Sequence, residues 1–296
     1  MPTIGDYLDP QALARLKGLR LRARRIVEGY VSGMHRSPFH GFSVEFAEHR
    51  EYVPGDDLRY LDWKVLGRTD KYYLKQYEEE TNLVCRLVLD VSESMRYQSE
   101  AAPLSKLEYA QRAAAALAYL VLHQQDRVGL VTFDDEVRSL VRPNGHPSHL
   151  KDLLQAMEEV LPRRKTSLGP VFHHLAERFQ KRGIVVVLSD LFDDVAAIVA
   201  GLKHLRLRRH EVVAMHVLDP AEIEFPFRQS TLFRGLEQGP KVLTEPAALR
   251  KAYLAEFDRY LRRLKAGCRR QGIDYVLLRT DRPVEMVLSS YLASRG

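Results

Sequence analysis

The sequence of 296 residues predicts an α/β protein with a doubly wound, mainly parallel sheet, preceded by an N-terminal helix and a β-hairpin segment. From Leu83 onward, short apolar runs alternate with stretches of ten or more residues that have helical periodicity. Residues 83–89, interrupted only by Arg86, and residues 184–188 are almost continuously apolar, which is typical of strands buried on both faces. Alternation of such strands with helices indicates a parallel sheet covered on both sides.

The elements of this main domain follow from the same patterns, taken in chain order. Predicted strands cover residues 83–89, 127–133, 136–141, 184–188, 211–218 and 273–279. The second and third of these strands are close enough to form a hairpin through Asp134-Asp135. Predicted helices cover residues 104–125, 149–160, 171–181, 196–207, 247–271 and 284–292.

The N-terminal part of the chain has a different pattern, so we predict a boundary near residue 80. Residues 10–30 read as an amphipathic helix, and residues 29–41, rich in Gly, Ser, His and Pro, as a loop. Residues 42–80 combine charged and aromatic side chains, which predicts short strands and hairpins, with Trp63 as a packing anchor. Residues 1–80 are thus expected to pack on a main domain of residues 81–296.

Composition excludes several classes of protein. Hydrophobic residues make up 45% and charged residues 28% of the chain, as in ordinary globular proteins. Cys85 and Cys268 are too few for a disulfide framework and lack metal-ligand spacing. The longest apolar run, residues 113–122, is about half of what a membrane span needs. The N-terminus lacks the order of a secretory signal. We therefore expect a cytoplasmic protein with no membrane span.

The net charge of +6 raises the question of nucleic-acid binding. Basic residues are densest in residues 15–25 and 203–209, and in both segments leucines recur at helical spacing. This pattern is typical of solvated helix faces, and no aromatic-rich RNA motif or zinc-finger spacing accompanies it. We expect no nucleic acid among the partners.

Oxygen-bearing side chains follow two of the apolar strands. Asp90-Val91-Ser92-Glu93-Ser94 comes after residues 83–89, Ser189-Asp190 comes after residues 184–188, and Thr166 lies in a loop before a helix. Carboxyl ends of neighbouring parallel strands meet at one rim, where ligands commonly bind. Two nearby carboxylates repel each other, and a bound cation relieves that repulsion. The alternative is that Asp90 and Ser92 only end a strand and cap the next helix.

The predicted ligands are all oxygens, which suits a hard cation, Mg²⁺ or alternatively Mn²⁺ or Ca²⁺, that keeps some of its waters. Neutral hydroxyl ligands leave positive charge on the ion, so it can capture an Asp or Glu carboxylate of a protein partner. We expect no enzyme, because no nucleophile pair or phosphate cradle accompanies the site. The alternative is a Mg²⁺-dependent phosphate-ester hydrolase with Asp90 as nucleophile, although Ser92 stands where a second carboxylate is needed. We interpret His146, His149, His173 and His174 as surface histidines.

These residues resemble the metal-ion-dependent adhesion site of von Willebrand factor type A domains. Asp90, Ser92 and Ser94 resemble its first element, Thr166 its second and Asp190 its third. The resemblance implies a metal site formed by these five residues on a von Willebrand A or Rossmann-like fold. Ser189-Asp190-Leu191 departs from the commoner Thr-Asp-Gly ending of the third element.

A segment upstream, residues 45–78, narrows the resemblance. It contains Glu45-Phe46, Arg50-Glu51-Tyr52-Val53-Pro54-Gly55-Asp56-Asp57, Arg59, Asp62-Trp63-Lys64, Arg68-Thr69 and Lys75-Gln76-Tyr77-Glu78. These residues closely resemble the signature of a bacterial family known as domain of unknown function 58. Such proteins look like partners of MoxR-type AAA+ ATPases, which implies an adaptor or chaperone-like role. The segment itself either orders loops through charged hydrogen bonds or forms a docking surface for the ATPase.

Overall fold

The computed structural model of the chain describes residues 4–7, 44–51, 63–69, 72–79, 83–160, 167–234 and 241–294. The chain divides into two compact units. The smaller unit is Arg24–Asn82, and the larger unit combines Met1–Ala23 with Leu83–Gly296. The helix predicted at residues 10–30 and the loop at residues 29–41 lie outside the described residues. The packing of residues 1–80 on the main domain stays a prediction.

The described residues of the smaller unit form an antiparallel pair of strands and a short helix. Strand β1 (Val44–Glu51) pairs antiparallel with β2 (Tyr73–Glu79), and helix α2 (Trp63–Thr69) comes between them in the chain. The predicted strands are therefore confirmed, but residues 52–72 connect them, which is too long a connection for the predicted hairpin. The helix was not predicted, because seven residues are too few to show a helical period. The side chain of Trp63 is 66% exposed, so the prediction that it anchors this segment is wrong.

The larger unit is built on a six-stranded sheet with the order β10-β7-β6-β3-β4-β5. Its strands are β3 (Val84–Asp90), β4 (Arg127–Phe133), β5 (Val137–Asn144), β6 (Ile184–Ser189), β7 (Glu211–Leu218) and β10 (Asp274–Arg279). All neighbours are parallel except β5, which forms the predicted antiparallel hairpin with β4. The next strand in the chain, β4, pairs with one edge of β3, and β6 pairs with the opposite edge of β3. The strand order thus reverses between β3 and β6.

Helices cover both faces of this sheet, which confirms the predicted α/β fold class. They are α1 (Ile4–Tyr7), α3 (Lys106–His123), α4 (His149–Glu158), α5 (Leu168–Arg178), α6 (Val195–Leu207), α8 (Pro246–Arg270) and α9 (Val284–Ser294). Apolar side chains of α3, α4 and α9 pack on one face of the sheet, and those of α5, α6 and α8 pack on the other. Successive residues of β3 alternate between the two cores, as the two-residue period of a strand requires.

Between β7 and α8 lie three short elements that the sequence did not reveal. Helix α7 (Pro220–Glu224) starts with a capping box formed by Asp219 and Glu222. Strands β8 (Thr231–Arg234) and β9 (Lys241–Thr244) then form a separate antiparallel pair. None of the helices in the described ranges is both long and apolar enough to cross a membrane.

Candidate metal centre

The two predicted aspartates lie side by side at the carboxyl ends of β3 and β6. These strands are parallel neighbours in which Leu89 pairs with Leu188, so the residues that follow emerge at the same rim. The Ser189 hydroxyl donates a hydrogen bond to Oδ2 of Asp90 at 2.5 Å. Asp90 and Ser189 are fully buried, and Asp190 is 1% exposed. The prediction that the strands bring Asp90 and Asp190 together is confirmed, and the strand order reverses at this point, where open α/β sheets commonly bind ligands.

Ser92 and Ser94 lie in the turn that follows β3. The backbone N–H of Ser92 donates to Oδ1 of Asp90 at 2.9 Å, which folds the turn back over the carboxylate. A 3-10 helix then spans Glu93–Arg96, and it brings the hydroxyl oxygens of Ser92 and Ser94 to 3.0 Å from each other. The Ser92 side chain makes no hydrogen bond to the backbone of this helix. Helix capping therefore does not explain the orientation of its hydroxyl group.

Asp190 is held by a lysine that sequence reasoning missed. The ammonium group of Lys106 lies 2.8 Å from Oδ2 of Asp190 and 2.7 Å from Oε1 of Glu222. The lysine side chain is 2% exposed. The sequence did contain an indication that this lysine is buried. Its position has the helical spacing of the buried stripe of α3, which includes Lys106, Tyr109, Ala110 and Ala113.

A histidine fixes the backbone of the same residue. Nε2 of His216 lies 2.7 Å from the carbonyl oxygen of Asp190, and its Nδ1 lies 2.8 Å from the hydroxyl of Tyr275. Burial lowers the pKa of His216 to about 4, so the ring is neutral near pH 7. A neutral ring that donates through Nε2 and accepts through Nδ1 satisfies both contacts.

The two carboxyl groups differ in their affinity for protons. Burial, together with the nearby charge of Asp190, raises the pKa of Asp90 to about 7. Burial also acts to raise the pKa of Asp190, but the ammonium group of Lys106 outweighs it and holds that pKa below its usual value. Asp190 is therefore ionised near neutral pH, whereas Asp90 gives up its proton less readily, because its charge is costly to bury without a further cation.

Thr166, the fifth predicted ligand, lies outside the described residues. The loop that contains it ends beside the site, since the backbone N–H of Leu168 donates to Oδ2 of Asp193 at 3.0 Å. Asp193 follows Asp190 by three residues. The part of this loop that the structure describes is thus adjacent to the third predicted element.

The described oxygens fit a small divalent cation. Two neighbouring ligands of an octahedral Mg²⁺ ion, each about 2.1 Å from the metal, are separated by about 3.0 Å. The hydroxyl oxygens of Ser92 and Ser94 have this separation. No cluster of three or more His, Cys, Asp or Glu side chains in the described ranges is arranged to hold a metal.

The third element, Ser189-Asp190-Leu191, contains a residue in an uncommon backbone conformation. Leu191 has a φ of 49°, in the left-handed region that glycine adopts most readily. Its N–H donates to the Ser189 hydroxyl at 2.9 Å, and its carbonyl oxygen accepts a hydrogen bond from the hydroxyl of Tyr260. These contacts hold a leucine where the commoner motif has glycine. The next residue, Phe192, is 66% exposed at the rim of the site.

Of the histidines, His149 was interpreted wrongly. It is 5% exposed, and its Nε2 lies 3.1 Å from the carbonyl oxygen of Val128, so it belongs to the core rather than to the surface. His146, His173 and His174 are exposed, as predicted. A single histidine at the start of a helix gives no sequence signal for such a contact.

Comparison with known proteins gives the family. The model of the family described as "Protein of unknown function DUF58" matches residues 48–262, well over half of the chain. The chain belongs to this family. It is similar to the uncharacterized protein Rv1480 of Mycobacterium tuberculosis, with 28% identity over 304 aligned residues that cover 98% of this chain and 92% of the relative.

Two solved structures are also similar to this DUF58 protein. One is an aerotolerance-related membrane protein from Bacteroides fragilis, with 20% identity, a TM-score of 0.46 and coverage of 72% of this chain and 97% of that one. The other is the VWA domain of SpRpn10, with 13% identity, a TM-score of 0.41 and coverage of 73% and 96%.

Proposed function

We propose that this DUF58 protein is a non-enzymatic, divalent-cation-dependent protein-binding module. The observation that carries the proposal is the pair of serine hydroxyls 3.0 Å apart beside two buried carboxyl groups at the switch point of the sheet. Asp90, Ser92, Ser94 and Asp190 would hold Mg²⁺ or Mn²⁺, directly or through water, with Thr166 as a further ligand. The cation supplies a positive centre that can bind a carboxylate of a partner.

The chemistry of the surrounding groups supports binding rather than catalysis. The basic side chains that contact Asp190 are Lys106 and His216, and both make internal contacts. Neither is positioned as a base for activating a water molecule. The exposed ring of Phe192 beside the rim offers apolar contact area to a protein partner.

The proposed partner is a MoxR-type AAA+ ATPase or a client of that ATPase, which an Asp or Glu side chain would attach to the cation. This part of the proposal draws on the resemblance of residues 45–78 and on membership of the DUF58 family. An adaptor or chaperone-like role in the cytoplasm is proposed on the same basis.

The test is capture of a purified MoxR-type ATPase by the immobilised protein, with Mg²⁺ or with EDTA. We expect the wild type to retain the ATPase only with Mg²⁺, and Asp90→Ala to lose it in both conditions. Glu93→Gln is the matched control, because it removes a carboxylate from the same turn without removing a predicted ligand. Equal capture by wild type and Asp90→Ala, or equal capture with EDTA, would contradict the proposal.

A further inference from the structure

A buried ammonium group already lies at the rim where the proposed cation would bind. Lys106 is the first residue of α3, and a capping box formed by Ser105 and Glu108 fixes the start of this helix. Its ammonium group contacts Asp190 and Glu222 and lies 5.9 Å from the centre of the Tyr97 ring. Burying an ammonium ion costs several kcal/mol unless it is paired, and here two carboxylates pair it. The position of this charge is therefore part of the fold.

Glu222 is held in place independently of the metal centre. Its Oε2 accepts a hydrogen bond from the backbone N–H of Asp219 at 2.8 Å, as the second half of the capping box of α7. Its Oε1 is the atom that contacts Lys106. The ammonium group is thus shared between a carboxylate of the site and a carboxylate outside it.

Internal donors occupy both oxygens of Asp190. Lys106 donates to Oδ2 at 2.8 Å, and the backbone N–H of Phe192 donates to Oδ1 at 3.3 Å. The hydroxyls of Ser92 and Ser94, by contrast, are neutral: their oxygens lie 3.0 Å apart, and Ser92 also hydrogen-bonds to Asp90 and Ser94 to Asp190. A hydroxyl oxygen that donates its proton keeps lone pairs for a cation. The hydroxyls are ready to bind an ion directly, whereas Asp190 must first give up a charged partner.

We propose that Lys106 is a positioning residue whose ammonium group keeps Asp190 out of direct contact with a divalent cation held by Asp90, Ser92 and Ser94. This inference rests on the proposed function. Two cations near one carboxylate repel each other, so Lys106 lowers the affinity for the metal. Because Asp190 neither replaces a metal-bound water nor neutralises the metal directly, a coordination position and positive charge remain for the partner's carboxylate.

The test compares Glu222→Gln with the double variant Lys106→Met/Glu222→Gln, which differ only in the ammonium group. In Glu222→Gln, Asp190 is the one of the two contacting carboxylates that still pairs with Lys106, so the ammonium group interacts more strongly with it. We therefore expect Mn²⁺ to bind more weakly than in the wild type. In the double variant Asp190 has no cationic partner, and we expect Mn²⁺ to bind at least about tenfold more tightly than in Glu222→Gln. Lys203→Met, which removes an exposed lysine of α6, should leave the affinity unchanged.

A second measurement separates positioning from general charge effects. Bound Mn²⁺ accelerates the relaxation of water protons in proportion to the number of waters it coordinates. If Asp190 enters the coordination shell when Lys106 is absent, it replaces a water, and relaxation by the double variant falls below that of Glu222→Gln. Equal relaxation in the two variants would overturn the positioning role.

The failures of the two proposals are distinguishable. If wild type and Asp90→Ala bind Mn²⁺ alike, the metal centre itself is wrong. If the wild type binds Mn²⁺ and Asp90→Ala does not, but Glu222→Gln and the double variant bind it equally, the role of Lys106 is wrong and the metal centre stands. If the double variant does not fold, the Mn²⁺ affinity of Glu222→Gln is the test. An affinity equal to or above that of the wild type would contradict the inference.

Discussion

At the scale of single residues, Ser92 and Ser94 differ from serines that only cap a helix. Their hydroxyls contact each other instead of the backbone of the 3-10 helix that follows. A hydrogen bond between two hydroxyl groups contributes little to stability, and at this position it preserves a pair of oxygens at the spacing of neighbouring metal ligands. The side chains are therefore expected to matter more for binding than for folding.

We predict that Ser92→Ala and Ser94→Ala each weaken Mn²⁺ binding by about tenfold or more while unfolding stability changes by less than about 1 kcal/mol. Calorimetric titration and urea denaturation measure the two effects. Ser99→Ala is the control, because its buried hydroxyl has no hydrogen-bond partner in the described structure. Loss of stability without loss of metal affinity would show that the two hydroxyls are structural.

His210 gives a pH dependence that is separate from the metal centre. The ring is fully buried with Nε2 3.1 Å from the carbonyl oxygen of Phe179, and burial lowers its pKa. Below a pH of about 6.5 the unfolded chain takes up a proton that the folded chain does not. The free energy of unfolding attributable to this residue therefore falls as the pH decreases from about 6.5.

We predict that His210→Gln, whose neutral amide can still donate to Phe179, loses less stability than the wild type between about pH 7.5 and about pH 5.5. Urea denaturation at the two pH values measures the difference. The variant is expected to be less stable than the wild type at the higher pH, because the amide fills the cavity less completely. Equal losses in both proteins would show that His210 does not control this pH dependence.

At the scale of elements, the sequence predicted those segments whose pattern is long or continuous. Residues 184–188 are apolar throughout, and residues 211–218 are apolar except for Glu211 and His216, because both faces of these strands are buried; the structure has strands at these positions. Helix α7 and strands β8 and β9 have only four or five residues each, too few for either period to show. Elements of this length depend on contacts that form only in the folded chain.

The candidate site was predictable where it depends on strands with a continuous apolar pattern. Asp90 and Asp190 follow recognisable strands, so their proximity could be inferred from the parallel arrangement alone. The ion pair between Lys106 and Asp190 joins residues 84 positions apart, and no local pattern reports it. The contact of Lys106 with Glu222 further depends on α7, which the sequence did not reveal.

The start of α3 positions Lys106, and we predict that Ser105→Ala destabilises the protein by about 1 kcal/mol because it removes the cap of this helix. Ser148→Ala is the matched control. Ser148 is the residue before α4, but its side chain makes no capping hydrogen bond, and its hydroxyl instead lies 2.7 Å from Nδ1 of the exposed His146. Urea denaturation of both variants gives the comparison, and similar losses of stability would contradict the capping role of Ser105.

At the scale of the whole molecule, the fold separates stability from binding. Two apolar cores on opposite faces of the sheet hold β3 and β6 in register, while the polar residues gather at the rim beyond their carboxyl ends. The buried pair of Asp90 and Asp190 opposes folding unless cations compensate for it. Lys106 compensates for the charge of Asp190, and the proposed divalent cation would compensate for that of Asp90.

The most direct measurement is a calorimetric titration of the metal-free protein with Mg²⁺ and Mn²⁺, repeated with Asp90→Ala and Glu93→Gln. We predict one binding site in the wild type, loss of that site in Asp90→Ala, and affinity within about threefold of the wild type in Glu93→Gln. Equal binding by the wild type and Asp90→Ala, or no binding by the wild type, would contradict the presence of a metal centre at this rim.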